Sequence, residues 1–192
     1  MALLFSNKVS SSFADKVISV SDKLGIDPNW LQFVMYNESA KSFSPSVTNP
    51  IGCVGLIQFC PDKSGLDYKT IGGKQYKLSD IKNMSDIEQL DLVYEYYKPY
   101  RSKLFSFVDL LLVTLYPVSV GVEDYKFPSK VVNQNPHYFK GVSGDTAGIT
   151  KKLQALVYEQ VPTEFYDSFF EKKNGETTIK TRNIELIRMD LI

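Results

Sequence analysis

A short predicted helix that ends in a carboxylate constrains this chain more than any other feature. Asp27 is a favourable N-cap and Pro28 suits the first helical position, so the start of the helix is well marked. The residues that follow at the helical spacing i, i+3, i+4 and i+7 are Leu31, Val34, Met35 and Glu38. Three of these four are apolar, so the pattern predicts a helix over 26–40 with a buried face that ends at Glu38.

A carboxyl group at the end of a buried face has a chemical consequence. Loss of hydration disfavours its charged form, so we expect the pKa of Glu38 to rise and the group to stay protonated near neutral pH. Cleavage of a glycosidic bond needs such an acid, because the leaving oxygen must receive a proton. On spacing alone, however, a glutamate near a helix C-terminus is more often an ordinary solvated residue.

Several short motifs in a fixed order give Glu38 a more specific interpretation. Glu38-Ser39 is followed by Asn49-Pro50, by Gly52 and by Gly55-Leu56-Ile57-Gln58. This order resembles the soluble lytic transglycosylase and goose-type lysozyme family, in which a Glu-Ser helix end precedes a polar loop and a Gly-Leu-Met/Ile-Gln segment. Residues 85–90 and 108–117 resemble later helices of the phage-encoded branch, and the resemblance extends over about residues 8–160.

The resemblance implies a fold, a reaction and a biological setting. The fold would be mainly α, a lysozyme-like helical domain over 1–160. The resemblance does not cover residues 161–192, which the change in composition marks as a small C-terminal extension of unknown role with a possible β-hairpin. The reaction would be cleavage of the MurNAc–GlcNAc β-1,4 bond of peptidoglycan by Glu38 as general acid and base, without metal or cofactor. The protein would be a phage endolysin or a virion-associated wall-degrading enzyme.

The resemblance also assigns residues to the glycan. Gln58 is expected to hydrogen-bond the N-acetyl or hydroxyl groups of the sugar, or Glu38 itself. Asn49 is expected to contact the same acetamido group, beside Gly55. Ser39 is expected to tie the helix end to the following loop. Tyr116 stands where the family has a tyrosine that points at the acid and the substrate, although Pro117 replaces the asparagine that usually follows. A core tyrosine is an equally good interpretation of Tyr116.

The nature of the product is less clear, because most glycosidases need a second carboxylate at a defined separation. The candidates near the motif are Asp62 and Asp67. The lack of a clear partner favours a transglycosylase over a hydrolytic goose-type lysozyme. Two further alternatives are an inactive virion protein that binds glycan and an interaction module that uses the fold as a scaffold.

Charge and hydropathy limit the partners. The chain has 22 basic and 22 acidic residues, which gives no electrostatic footprint for nucleic acid or for an anionic membrane. The apolar run at residues 2–5 is too short for a secretory signal, and no run is long enough for membrane insertion. If the protein acts on the wall as the resemblance implies, we expect synthesis in the host cytoplasm and delivery by a holin or by a virion, with contacts to tail or baseplate proteins.

The sequence offers no convincing metal site. Cys53 and Cys60 lack further Cys or His partners, and their apolar neighbours suggest reduced, buried thiols. Residues 131–161 resemble the end of the phage branch, where an Asp-rich loop would suit calcium. Here Ser143, Asp145 and Thr146 supply few oxygen ligands, so calcium is not expected.

The remaining pattern predicts the other elements. Gly25 should end a first helix over 5–24, and Ser85 with Glu88 should form a capping box for a helix that ends near residue 98. Other predictions are a turn or core helix over 55–60, a surface excursion over 61–78 with a turn at Gly72-Gly73, helices over 78–83, 109–116 and 151–160, a hairpin at Asn174-Gly175, and a strand or short helix over 184–191.

Overall fold

Helices dominate the computed structural model, which describes residues 2–181. The α-helices of this part of the chain are α1 (Ser11–Leu24), α2 (Pro28–Glu38), α3 (Leu78–Asn83), α4 (Asp86–Tyr97), α5 (Phe107–Leu115), α6 (Ser129–Gln134), α7 (Pro136–Phe139), α8 (Thr146–Gln160) and α9 (Tyr166–Phe169). Two antiparallel hairpins pair β1 (Tyr68–Ile71) with β2 (Lys74–Lys77), and β3 (Phe170–Lys173) with β4 (Glu176–Ile179). The predicted mainly α class is confirmed.

The chain divides into two compact units, one ending at Ser102 and the other beginning at Lys103. The first unit contains α1–α4 and the β1–β2 hairpin, and the second contains α5–α9 and the β3–β4 hairpin. The predicted start of the C-terminal extension at residue 161 lies inside the second unit, where β4 contacts α8. The hairpin predicted for this extension is present, with Asn174-Gly175 as its turn.

The first helix is shorter at its N-terminus than the sequence pattern predicted. Phe5 adopts a left-handed conformation with φ of 60°, and residues 6–8 form a single 3₁₀ turn. Ser10 then caps α1 by accepting a hydrogen bond from the N–H of Phe13. The C-terminus is as predicted, because Gly25 takes φ of 71° and its N–H bonds the carbonyl of Asp22.

Helix α2 begins at the predicted cap, but more of it is buried than the single predicted face. The Asp27 carboxylate accepts the N–H of Asn29 at 2.8 Å, and Pro28 occupies the first turn. Every residue from 29 to 35 is buried, so the helix is enclosed on more than one face. The helix ends at Glu38, because Ala40 and Lys41 both take positive φ and break the helical path.

Helix α4 has the predicted capping box. The Ser85 hydroxyl accepts the N–H of Glu88 at 3.1 Å, and the Glu88 carboxylate accepts the N–H of Ser85 at 2.8 Å. The buried residues on its inner face include Leu90, Val93 and Tyr97. Since α1 packs against both α2 and α4, these three helices form the core of the first unit.

The β1–β2 hairpin lies in the segment that was predicted to be an irregular surface excursion. Gly72 and Gly73 form its two-residue turn with φ of 59° and 78°, and Ile71 pairs with Lys74. The turn was predicted but its flanking strands were not. Only Ile71 of these strands is buried, so the apolar alternation that marks a strand is weak here.

In the second unit, α5 is the buried helix that the apolar run predicted, since every residue from 107 to 113 is buried. Helix α8 begins five residues earlier than predicted, because the Asp145 carboxylate caps it by accepting the N–H of Gly148 at 2.8 Å. None of the helices in the described residues is long and apolar enough to cross a membrane. The segment predicted over 184–191 lies outside the described residues.

Candidate active site

Glu38 is the last residue of α2, and its side chain is half-buried. The neighbouring Ser39 is fully buried, and its hydroxyl accepts the N–H of Phe43 at 2.8 Å. The carbonyl of Ser39 accepts a hydrogen bond from the Ser42 hydroxyl at 2.6 Å. Ser39 therefore ties the end of α2 to the following loop, as predicted, and fixes the backbone next to the carboxylate.

Tyr96 on α4 is close enough to Glu38 to interact with it electrostatically, which the sequence pattern did not predict. Burial raises the pKa of Tyr96 far above its usual range, and nearby Tyr100 and the charge of Glu38 raise it further. The Tyr96 hydroxyl therefore keeps its proton and can donate a hydrogen bond to an oxygen in this region. Its ring packs edge-on against Phe59, with centroids 6.0 Å apart.

Phe59 belongs to a tight turn that is closed by a disulfide bond between Cys53 and Cys60. The predicted reduced thiols are therefore wrong. The reason is geometric: Val54 and Phe59 form an antiparallel bridge with N–H···O distances of 3.0 and 2.8 Å, which sets the two flanking cysteines opposite each other. Their Cα atoms lie 4.0 Å apart.

The side chain of Gln58 holds this turn together. Its Nε2 donates to the carbonyl of Gly55 at 3.1 Å and to that of Val47 at 3.2 Å, although Gln58 itself has a positive φ of 57°. No described residue donates to the Gln58 amide oxygen, and the side chain is only half-buried. The oxygen is thus the atom of Gln58 that can accept a hydrogen bond from a ligand.

Asn49 has a comparable structural role at the start of the same loop. Its Oδ1 accepts the N–H groups of Ile51 at 3.1 Å and Cys53 at 2.9 Å, which shapes the turn through Gly52. The side chain is half-buried, so its Nδ2 is the group that could meet a sugar. The predicted contact with an N-acetyl group stays a prediction.

Gly55 is buried and takes φ of 89°, and the side-chain amide of Gln89 fills the space above its Cα. A Cβ at this position would collide with that amide. Gln89, on α4, is fully buried, and its Oε1 accepts the N–H of Leu56 at 2.6 Å. Gln89 lies in the segment over 85–90 that resembles a helix start of the phage branch, but the sequence pattern gives it no role in the site.

Tyr116 lies in the second unit, at the C-terminal end of α5. It is partly exposed, and its ring also packs against that of Phe127, so both interpretations of Tyr116 stay predictions. The centroids of the Tyr116 and Tyr125 rings lie 6.1 Å apart. Burial raises the pKa of Tyr125, and the electrostatic interaction and hydrogen bond with Tyr116 raise it further. Glu38, Ser39 and the loop residues belong to the first unit.

Asp62 and Asp67, the two candidates for a second carboxylate, each form hydrogen bonds within the first unit. Asp62 accepts hydrogen bonds from the N–H of Thr70 at 3.0 Å and its hydroxyl at 2.6 Å. Burial alone would raise the pKa of Asp62, but the bonds from Thr70 and the charge of Lys69 hold it below its usual value. Asp67 is exposed, and its carbonyl accepts the N–H of Leu78.

No group of three or more His, Cys, Asp or Glu side chains that could hold a metal ion occurs within residues 2–181. Asp145, considered for calcium, accepts hydrogen bonds from the Ser143 hydroxyl and the Gly148 N–H as the cap of α8. These bonds, that from Ser143 first, hold the pKa of Asp145 below its usual value.

Comparisons of the chain with protein-family models, with curated proteins and with solved structures found no match. The functional interpretation therefore depends on the chemistry of the site and on the motif resemblance. Within the first unit, that chemistry is a half-buried carboxylate at a helix end, a protonated tyrosine hydroxyl near it, and a rigid disulfide-closed turn linked to that tyrosine through Phe59.

Proposed function

We propose that this protein is a peptidoglycan-degrading muramidase, a lytic transglycosylase that cleaves the MurNAc–GlcNAc β-1,4 bond with Glu38 as general acid and base. The observation that carries the proposal is the position of Glu38, half-buried at the C-terminal end of α2. A partly exposed carboxyl group at a helix end can reach a bound sugar and transfer a proton to it. The order of the family motifs supports the same assignment.

In the proposed reaction, protonated Glu38 donates its proton to the glycosidic oxygen as the bond between that oxygen and C1 of MurNAc breaks. The departing GlcNAc leaves as an alcohol, and C1 develops oxocarbenium-like character. The Glu38 carboxylate then removes the proton from the C6 hydroxyl of MurNAc, and O6 bonds to C1. The product is a 1,6-anhydro sugar, and Glu38 regains its proton.

The neighbouring residues would orient the sugar. The amide oxygen of Gln58 and the Nδ2 of Asn49 are suited to the N-acetyl and hydroxyl groups of the substrate, since their other polar atoms are engaged in the loop. The Tyr96 hydroxyl is suited to donate to Glu38 when that group is ionised. The role of Tyr116 stays a prediction that rests on the motif resemblance alone.

A hydrolytic goose-type lysozyme is the alternative reaction, in which water replaces the C6 hydroxyl. The engagement of Asp62 by Thr70 favours the transglycosylase, because that carboxylate serves to hold β1. The proposed biological role is that of a phage endolysin or a virion-associated protein. The substrate would be peptidoglycan strands, and a virion-borne form would have tail or baseplate proteins as partners.

The test is mass spectrometry of the products released from purified peptidoglycan. The samples are the wild type, Glu38→Gln, and Glu159→Gln as a matched control on the exposed face of α8. We expect anhydro-muropeptides from the wild type and the control, and a reduction of about 10³-fold or more in Glu38→Gln, since general acid catalysis contributes about 10²–10⁴-fold at each proton transfer.

Other outcomes would change the proposal in defined ways. Reducing-end MurNAc would establish a hydrolase and would require a water-activating carboxylate. Products from Glu38→Gln at the wild-type rate would remove Glu38 from the mechanism. Glycan binding without products from the wild type would leave a wall-binding virion protein.

A further inference from the structure

One helix contacts the candidate site at two points. Gln89 and Tyr96 are seven residues apart on α4, which is two helical turns or about 10 Å along the axis. Residues at this spacing lie on the same face of a helix. Gln89 holds the disulfide-closed turn at one end, and Tyr96 lies near Glu38 and packs on Phe59 at the other.

The hydrogen bonds of Gln89 fix its side chain in one orientation. Its Oε1 accepts the N–H of Leu56 at 2.6 Å, and its Nε2 donates to the carbonyls of Pro45 and Ile81, both at 2.9 Å. Both amide protons are thus used, and the side chain is fully buried. An amide is the side chain that can serve one N–H group and two carbonyls at this position.

Gly55 and Gln89 fit together as a pair. The Gln89 amide occupies the space that a Cβ at Gly55 would need, and the next residue, Leu56, donates its N–H to the same amide. The motifs over 55–58 and 85–90 are separated by 26 intervening residues in the sequence, yet they meet in one contact. The backbone of the turn therefore lies where Gln89 places it.

We infer that Gln89 is a positioning residue for the reaction proposed above, on which this inference rests. It sets the location of the Gly55–Gln58 turn relative to α4, and so relative to Tyr96 and Glu38. A shift of the turn by about 1 Å would move the sugar-binding amide of Gln58 away from the acid, and misplacement of this size costs catalysis about 10²-fold. Gln89 itself touches the turn and not the substrate.

The experiment compares Gln89→Met and Gly55→Ala, singly and together, with Gln75→Met as a control at an exposed glutamine of β2. Steady-state kinetics on purified peptidoglycan glycan are measured at a temperature at which circular dichroism shows each variant to be folded. Hydrogen exchange of the Leu56 amide is measured by NMR in parallel, with the amide of Leu31 as internal reference. Gln89→Asn, which keeps an amide on a side chain shorter by one methylene, is the milder variant if Gln89→Met does not fold.

We expect kcat of Gln89→Met to fall about 10–100-fold while KM changes less than about 3-fold, because positioning acts on the transition state. The Leu56 amide should exchange at least about 10-fold faster with Leu31 unchanged. The loss of kcat in the double variant should not exceed the product of the two single losses. We expect it to be smaller than that product, because both changes act on one contact. Gln75→Met should match the wild type.

Wild-type kcat in folded Gln89→Met, or a lowered melting temperature with no change in kcat, would overturn the inference and leave Gln89 a purely structural residue. Unchanged Leu56 exchange would also overturn it. If the wild type releases no glycan products, the proposed function fails. The exchange data would then still test Gln89. Unchanged Leu56 exchange in Gln89→Met would show that Gln89 does not hold the turn. Faster exchange would show that Gln89 holds the turn but has no role in a reaction.

Discussion

Two glycine-containing turns in the first unit have similar backbones and different surroundings. In the turn over 55–58, Gly55 and Gln58 take positive φ, and in the β1–β2 turn both Gly72 and Gly73 do. Gly55 is buried under the Gln89 amide, whereas a Cβ at Gly73 would meet no atom within 4 Å. In the β1–β2 turn, glycine is required by the local backbone alone. In the turn over 55–58, Gly55 is required both by its backbone conformation and by the distant side chain of Gln89.

The two turns also differ in how their ends are held. The Cys53–Cys60 disulfide closes the first turn covalently, and only the hydrogen bonds of two short strands close the second. The first turn is linked to Tyr96 through Phe59, while Gly72, Gly73 and Lys74 of the second turn are exposed. Rigidity is therefore concentrated where the candidate site lies, as expected for a site that must hold a substrate in one geometry.

The largest difference should come from adding one methyl group to each turn. Gly55→Ala combines a strained φ with a collision against Gln89, so we expect it to lower the free energy of unfolding by about 2–4 kcal/mol. Gly73→Ala carries the backbone strain alone, with an expected loss of about 1 kcal/mol. Urea denaturation of the two variants measures both values. Equal losses would show that Gln89 moves aside freely and would weaken the comparison.

Reduction of the disulfide should have the next largest effect. The cysteines are seven residues apart, and closure of so short a loop stabilises a protein by about 2–3 kcal/mol in the chain-entropy model. Urea denaturation with and without a phosphine reductant measures the loss, and Cys53→Ser with Cys60→Ser should be insensitive to the reductant. Amides of the β1–β2 hairpin should keep their exchange rates under conditions where those of residues 54–59 accelerate.

The smallest effect concerns the carboxylate that supports β1. Thr70→Val removes the hydroxyl bond to Asp62, so the pKa of Asp62 should rise toward its ordinary value, and stability at neutral pH should fall by less than about 1 kcal/mol. Because the folded-state pKa is lowered, this contribution is present above the pKa of the unfolded chain and is lost as pH falls through the folded pKa. NMR titration of the Asp62 carboxyl measures the shift, and a pKa unchanged by the substitution would contradict it.

Local signals in the sequence located most of the helix ends. These signals act within one helical turn, so their effects could be predicted without the fold. They are Gly25 at the end of α1, Asp27 with Pro28 at the start of α2, and the Ser85–Glu88 capping box of α4. The same holds for the Asn174-Gly175 hairpin, whose turn residues adopt positive φ readily. The start of α1 was misplaced because the apolar spacing continues past Ser10, which supplies the cap.

The candidate site was only partly predictable. The helical spacing placed Glu38 at the end of a buried face, and Ser39 was expected to tie that end to the loop. Tyr96 and Gln89 were not assigned to the site, because their contacts join α4 to residues more than 30 positions away. The disulfide was missed for a related reason: pairing of Cys53 with Cys60 depends on the Val54–Phe59 bridge and not on the residues next to each cysteine.

The sequence by itself determined the mainly helical class, the ends of α2 and α4, and the position of Glu38 at the end of a buried stripe, because caps and helical periodicity act over a few residues. Only the tertiary structure decided that Gln89 fills the space above Gly55, that Tyr96 lies near Glu38, and that the two cysteines are bonded. Each of these depends on where separate segments meet, and that is set by the packing of α1, α2 and α4 around one core.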